Sequence, residues 1–236
     1  MTDTAILAAL EATWPAAQKY HAGPWVIRDG KGGGQRVSAA SILGAWANQD
    51  IAIAESEMAK LGQSPLFMLT PKDSALDTEL AKRGYRRHDP VVIYSAKCAV
   101  IVDGDPEPLS GFPHWPPLAV AIDLWADGGI GAARLAVMER VAGPKAAILG
   151  RLGDRPAGAG FVAVSDGIAA LHALEVAAAH RRKGLGQSLV RHAAYWAANN
   201  GADTLVLAVT EMNSPAREMY DRLGLIPVGQ YHYRVR

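Results

Sequence analysis

Ala169 to Val176 is an apolar run without a breaker, and a short link later the chain reads Arg181-Arg182-Lys183-Gly184-Leu185-Gly186. From there Leu185, Leu189, Ala193, Trp196 and Ala197 recur at helical spacing, and Asn199-Asn200-Gly201 supplies a stop. Strand, basic glycine turn, helix is a restrictive order. The run reads as a buried strand, and the helix must begin among three cations and two glycines. The first amides of a helix have no partner within it, and the macrodipole makes that end positive. Glycine lets an anion come close to the backbone. Such a turn suits a diphosphate; the competing reading is a glycine hinge with solvated charges.

Prolines 106, 108, 113, 116 and 117 crowd the stretch from Asp103 to Pro117. That density opposes both helix and inner strand, so the expected division is 1–99, a linker at 100–117, and 118–236. The two parts share a faint repeat. Gly23-Pro24-Trp25-Val26-Ile27-Arg28 resembles Gly143-Pro144 with its following apolar run, and Gly34 to Ser41 resembles Gly158 to Ser165; both pairs read as hairpins. Gly62 and Gly84 bracket a strand and a helix, as do Gly201 and Gly224, at spacings of 84 − 62 = 22 and 224 − 201 = 23. Counted from Ser41 and Ser165, the second part has about fifteen more residues before its first bracketing glycine, and the basic turn lies among them. The first half is then expected to be a relative of the second that lacks the anion-binding part.

Composition excludes several classes. The net charge of +1 gives no field that would recruit nucleic acid or an anionic membrane. Cys98 is the single cysteine, so neither an internal disulfide nor a cysteine metal site is indicated, and no metal is expected. Met1 to Leu10 does not read as a signal peptide. No stretch approaches the ~18 to 20 apolar residues of a membrane span. A cytoplasmic location is the default.

His180 to Gly186, behind the strand Leu171-His172-Ala173-Leu174-Glu175-Val176, resembles the acetyl-CoA motif of the GNAT N-acetyltransferase superfamily, Arg/Gln-x-x-Gly-x-Gly/Ala, through Arg181, Gly184 and Gly186. Asn213-Ser214-Pro215-Ala216-Arg217-Glu218-Met219-Tyr220-Asp221-Arg222-Leu223-Gly224-Leu225 resembles the next motif, Asn-x-x-Ala-x-x-x-Tyr-x-x-x-Gly-Phe, with Leu225 replacing the aromatic residue. The likeness is good from about 143 to 235, weak over 118–142, and only topological before Cys98. It implies an α+β fold of two GNAT-like halves in tandem, each a mixed, mainly antiparallel sheet flanked by helices, the first half degenerate.

The resemblance further implies acetyl-CoA as co-substrate, lying in a V-shaped opening between the strands 169–176 and 204–209. Backbone groups of Leu174 and Val176 would meet the pantetheine. Arg181 and the amides of Arg182, Lys183, Gly184, Leu185, Gly186, Gln187 and Ser188 would hold the pyrophosphate. Asn213 would bond the pantetheine arm, and Tyr220 would stand near the thioester sulfur. Leu171-His172-Ala173-Leu174 is similar to the corresponding strand of arylalkylamine N-acetyltransferases, in which a histidine here assists deprotonation. Ala170 stands where histone-acetylating relatives carry a glutamate base.

Transfer to an amine needs a neutral nucleophile. An alkylamine of pKa ~10.4 is about one part in a thousand neutral at pH ~7.4, so a base has a place, as has a proton donor for the departing thiolate. Tyr220 suits the donor role on a helix from Pro215 to Leu223, which Ser214 can cap; the bland alternative is a core tyrosine. His172 is a base candidate, against a satisfied buried histidine. Glu175 either faces the acceptor or pairs with a nearby arginine. Strict alternation puts Leu171, Ala173 and Glu175 on one face and His172, Leu174 and Val176 on the other, unless a bulge breaks the parity. Lys31-Gly32-Gly33-Gly34 joins two extended stretches, 25–28 and 35–39, so it reads as a hairpin turn and not a phosphate loop. Tyr231-His232-Tyr233-Arg234 alternates like a final strand, one face of which could line an acceptor pocket.

Three functions stay open: acetylation of a small-molecule amine, non-catalytic acyl-CoA sensing, and acetylation of protein lysines or N-termini. The oligomeric state is also open, with a homodimer among the options.

Overall fold

The computed structural model describes residues 3–102 and 110–236. The order is α1 (Asp3–Ala12), β1 (Gln18–Ala22), β2 (Trp25–Asp29), β3 (Ser41–Ile42), α2 (Asp50–Lys60), β4 (Leu66–Leu69), α3 (Ser74–Lys82), β5 (Arg86–Lys97), α4 (Cys98–Val102), β6 (Gly111–His114), α5 (Ala119–Asp127), α6 (Ala132–Arg140), β7 (Lys145–Leu152), β8 (Arg155–Ser165), β9 (Ile168–Val176), α7 (Leu185–Asn199), β10 (Thr204–Thr210), α8 (Ser214–Arg222) and β11 (Ile226–Val235). The fold is α+β. Among the described residues no helix is long and apolar enough to cross a membrane.

An eight-stranded sheet runs β4-β11-β5-β10-β9-β8-β7-β6, and β1-β2-β3 form a second, smaller sheet. Every neighbouring pair in the large sheet is antiparallel except β9 and β10. The halves exchange strands. β5 of the first lies between β10 and β11 of the second, and β11 lies between β5 and β4 of the first. The sheet is therefore continuous across the expected division at 100–117. Nor is that stretch without structure: α4 runs into it, and Gly111–His114 forms β6. Pro113 is tolerated because β6 is an edge strand, where one row of backbone groups has no ladder to join. Pro106 and Pro108 lie outside the described residues.

The order β3, α2, β4, α3, β5 repeats as β9, α7, β10, α8, β11. Gly62, Gly84, Gly201 and Gly224 all follow helices of this repeat with φ of 68°, 84°, 86° and 79°, the left-handed torsion of a helix C-terminus. A parallel bridge from Ala40 to Phe67 stands where β9 pairs with β10 in the second half. The register corrects the pairing read from sequence. Ser41 lies on the counterpart of β9, whereas Ser165 ends β8, and Gln35 to Ala39 form turns, not a strand. The links before α2 (43–49) and before α7 (177–184) are nearly equal in length, so the surplus lies mostly in β9 and α7 themselves. What the first half lacks is chemistry. Its link, Leu43-Gly44-Ala45-Trp46-Ala47-Asn48-Gln49, has no cation, and Asp50 in the first turn of α2 accepts from the Ala47 amide at 2.8 Å. Its own carboxylate occupies the positive helix end.

Apolar side chains pack on both faces of the sheet. α7 buries Leu185, Leu189, Val190, Ala193 and Ala197 against Ile148, Val162 and Leu171. The opposite face takes Trp125 of α5 and Val137 of α6 against Phe161 and Ala163. α1 crosses to the second half, setting Ile6, Ala9 and Leu10 beside Ile168, Ala170 and Val206.

A polar clamp also joins the halves. Asp77 of α3 accepts from His232 Nε2 at 2.7 Å and from Arg234 Nε and Nη2 at 2.7 and 3.1 Å. Chiefly through Arg234, these bonds hold its carboxyl down at about 2. A depressed folded-state value contributes stability that is present above the unfolded value near 3.8 and lost as pH falls toward 2. Asp77→Asn is expected to cost about 1 kcal/mol at pH 7, given the partial exposure of the site. Urea titrations of both proteins should show that difference closing between pH ~4 and ~2.

Candidate active site

The parallel pairing of β9 with β10 covers only Ile168 to Leu171 against Thr204 to Leu207. Beyond it each strand follows its own antiparallel neighbour: Ala208 to Thr210 stay with β5, while Glu175 and Val176 stay with β8. The strands splay, and a cleft of about 510 Å³ opens between them, within the range of small-molecule sites.

β9 carries a bulge on the rim of this cleft. Phe161 pairs with His172 but Ala159 pairs with Glu175, so Ala173 and Leu174 together oppose Gly160. Ala173 takes φ 50°, a strained torsion for a residue with a Cβ. Its carbonyl accepts from the fully buried Trp125 Nε1 at 2.8 Å. The extra residue changes the parity expected from alternation. Leu174 and Val176 pack with Leu171 on the α7 side, whereas Ala173 joins His172's neighbours Trp14 and Phe161 on the other.

α7 begins at Gly184, a left-handed N-cap at φ 85° with no side-chain cap, and Arg182 before it is also left-handed at φ 63°. The first turn of α7 holds no carboxylate, so its leading amides remain available to an anion. A Cβ on Gly184 would meet nothing within 4 Å, so the backbone there is open to close approach. Gly186 serves packing: a Cβ would lie 3.2 Å from Met219 Sδ of α8. Arg182 and Lys183 are exposed, and Lys183, Gln187 and Ser188 border a smaller hollow with Arg151 and Arg191. Arg181 turns back instead, donating to the Val176 carbonyl and to Glu175 Oε1, each at 3.0 Å. It ties the turn to the end of β9, and Glu175 is an ion-pair partner packed on Gly128.

Asn213 and Tyr220 both line the cleft, with Leu174. Asn213, not Ser214, is the N-cap of α8: its side chain accepts from the Ala216 amide at 3.3 Å. The amide side chain reaches the third amide of the helix from that position, leaving Ser214 and Pro215 to open the helix proper. Tyr220 is buried, its ring 5.7 Å from that of Tyr94. Burial pushes its hydroxyl up to about 12, so it is a donor at neutral pH.

His172 lines the same cleft, yet both its nitrogens are engaged. Nε2 lies 2.9 Å from Thr13 Oγ1, and Nδ1 lies 3.0 Å from an Arg36 Nη2. Burial first, and then the charge of Arg36, holds its pKa well below the ordinary histidine value. Trp14, Arg36 and Asp89 reach the cleft from the first half, with Tyr231 and Tyr233 from the final strand. The sequence reading missed the first three: Arg36 lies in the stretch 35–39 read as extended, which forms a turn instead, and nothing in its spacing sets it beside His172. Gly33 fits there because a Cβ would stand 2.5 Å from Val137 Cγ2, so the loop lies flush on α6.

Residues 118–225 match the profile of the acetyltransferase (GNAT) family. Over 95% of both chains the sequence is 28% identical to an uncharacterized N-acetyltransferase of Bacillus subtilis, YobR. Over 70 residues, 28% of this chain and 37% of the other, it is 46% identical to a streptothricin acetyltransferase of Streptomyces lavendulae. The fold superposes on a GNAT-type N-acetyltransferase from Kribbella flavida with a TM-score of 0.71 at 18% identity, covering 98% of this chain and 94% of that one. The match over residues 118–225 is to the acetyltransferase (GNAT) family, and with the relatives named as acetyltransferases it marks the chain as an acyltransferase.

Proposed function

We propose that this protein transfers the acetyl group of acetyl-CoA to the primary amine of a small molecule by direct attack, with Tyr220 giving a proton to the departing thiolate. The observation that carries the reading is the splay of β9 from β10, with Leu174, Asn213 and Tyr220 on one cleft. The amides opening α7 and the charges of Arg182 and Lys183 are suited to the pyrophosphate. Beyond Leu171 β9 has no β10 partner, which leaves its cleft-side backbone groups, apart from the Ala173 carbonyl held by Trp125, for the pantetheine and for an oxyanion. The wall contributed by the first half encloses the cleft on a small-molecule scale, and a relative named as a streptothricin acetyltransferase favours the same acceptor class.

Neither His172 nor Glu175 is placed as a free base. The imidazole is committed at both nitrogens, and the carboxylate is paired with Arg181. Asp89, the carboxylate lining the cleft among the described residues, is half-exposed with His88 Nε2 3.4 Å from its Oδ2, and in this reading it receives the ammonium and, through water, its proton.

Acetyl-CoA at ~100 times its dissociation constant is expected to stabilise the fold by about 2.7 kcal/mol. Thermal unfolding with and without it tests binding, and thiol release over a panel of amines tests transfer. Stabilisation without release from any amine would favour a sensor over an enzyme; no stabilisation would sink both.

A further inference from the structure

Arg36 is held in the cleft by a directed chain of hydrogen bonds. Thr13 Oγ1 donates to the Ala9 carbonyl at 2.6 Å, so toward His172 it can only accept. His172 Nε2 therefore carries the ring proton, and the Nδ1 lone pair receives Arg36 Nη2–H at 3.0 Å. The neutral imidazole fixes one arm of the guanidinium without neutralising it. No ion pair offsets Arg36 among the described residues. Its Nε is buried with no hydrogen-bond partner among them, a costly state for a cationic donor.

Arg134 of α6 adds a second guanidinium to the cleft, its Nε 3.7 Å from where a Cβ on Gly34 would stand. Asp89 lines the cleft as well. The buried Tyr233 lines the cleft together with both of these charges. An acceptor with an ammonium alone would face two cations and one carboxylate. A molecule carrying an ammonium and a single negative charge matches all three.

Resting on the function proposed above, we infer that the acceptor is an amino acid or another amine bearing a carboxylate, which Arg36, aided by Arg134, binds while Asp89 receives the ammonium. The planar, permanently charged guanidinium of arginine is suited to a carboxylate. A dianionic phosphate would bring a second charge against Asp89. His172 is a positioning residue in this scheme, setting the angle of Arg36.

The test is a binding comparison that needs no turnover. The chain, with and without saturating CoA, is titrated with lysine against cadaverine, ornithine against putrescine, and phenylalanine against phenethylamine, read by calorimetry and thermal shift. In at least one pair the carboxylated member should bind about 10- to 100-fold more tightly, the span of a lost charged hydrogen bond. Arg36→Gln should abolish that preference and Arg36→Lys should keep part of it, with CoA affinity unchanged in both. Equal or tighter binding of the decarboxylated partner in every pair overturns the inference. So does no binding by any carboxylated member, or the full preference surviving in Arg36→Gln. If Arg36→Gln does not fold, the parent's three pairs decide. If CoA alone leaves the melting temperature unmoved, the proposed function fails instead, and the titrations without CoA still decide this inference.

Discussion

Tyr220→Phe is expected to lower kcat by about 10²- to 10³-fold while leaving the dissociation constant of acetyl-CoA within about twofold. The ring is buried against Tyr94, and Phe keeps that packing. What is lost is one proton donor on the cleft. With the hydroxyl pushed up to about 12, the donor stays protonated through the neutral and mildly alkaline range. The ratio of parent to variant kcat should therefore be flat from pH ~6 to ~10, and an alkaline limb in that range belongs to another group. Because the hydroxyl holds no hydrogen bond among the described residues, the melting temperature should move little. Steady-state kinetics and a CoA titration check both parts; full activity in Tyr220→Phe would refute its acid role.

The largest effect on the fold is expected at Trp125. Trp125→Ala should destabilise by about 3–5 kcal/mol, the usual cost of emptying an aromatic site in a core. The side chain is fully buried, and its indole N–H is the donor found on the Ala173 carbonyl. Removal leaves a cavity and a buried acceptor without a partner. It also frees a strained bulge to relax toward regular alternation, which would exchange the faces of Leu174 and Ala173. Trp125→Phe isolates that second effect. It keeps most of the volume, should cost about 1–3 kcal/mol, and should weaken acetyl-CoA binding although residue 125 is not among those lining the cleft. Urea unfolding measures the first quantity and a CoA titration the second. Parent-like affinity in Trp125→Phe would show that the bulge holds its shape without the indole.

Much of this protein is local in origin, and that part was legible. The burial of β9, the start of α7 at a glycine and the four glycines that close repeat helices each follow from torsions and polarity within a few residues. The strand character of Tyr231 to Arg234 was legible too, with tyrosines on the cleft and the other two on Asp77. Proline density at 100–117 reports on local pairing capacity and says nothing of where the flanking strands go. β5 precedes that stretch, yet it pairs with β10 and β11 beyond it.

What the sequence by itself determined is the resemblance to the family and the basic glycine turn at a helix start, because cations, glycines and a helix start act over neighbouring residues. Only the tertiary structure decided the exchanged strands, the shifted parity of β9 and the tie from Thr13 through His172 to Arg36. Strand pairing uses backbone groups that every residue shares, so a partner a hundred positions away leaves little local signature. A bulge moves side chains between faces without altering composition. A histidine's role depends on what its nitrogens meet, and here they meet residues from the other half of the chain.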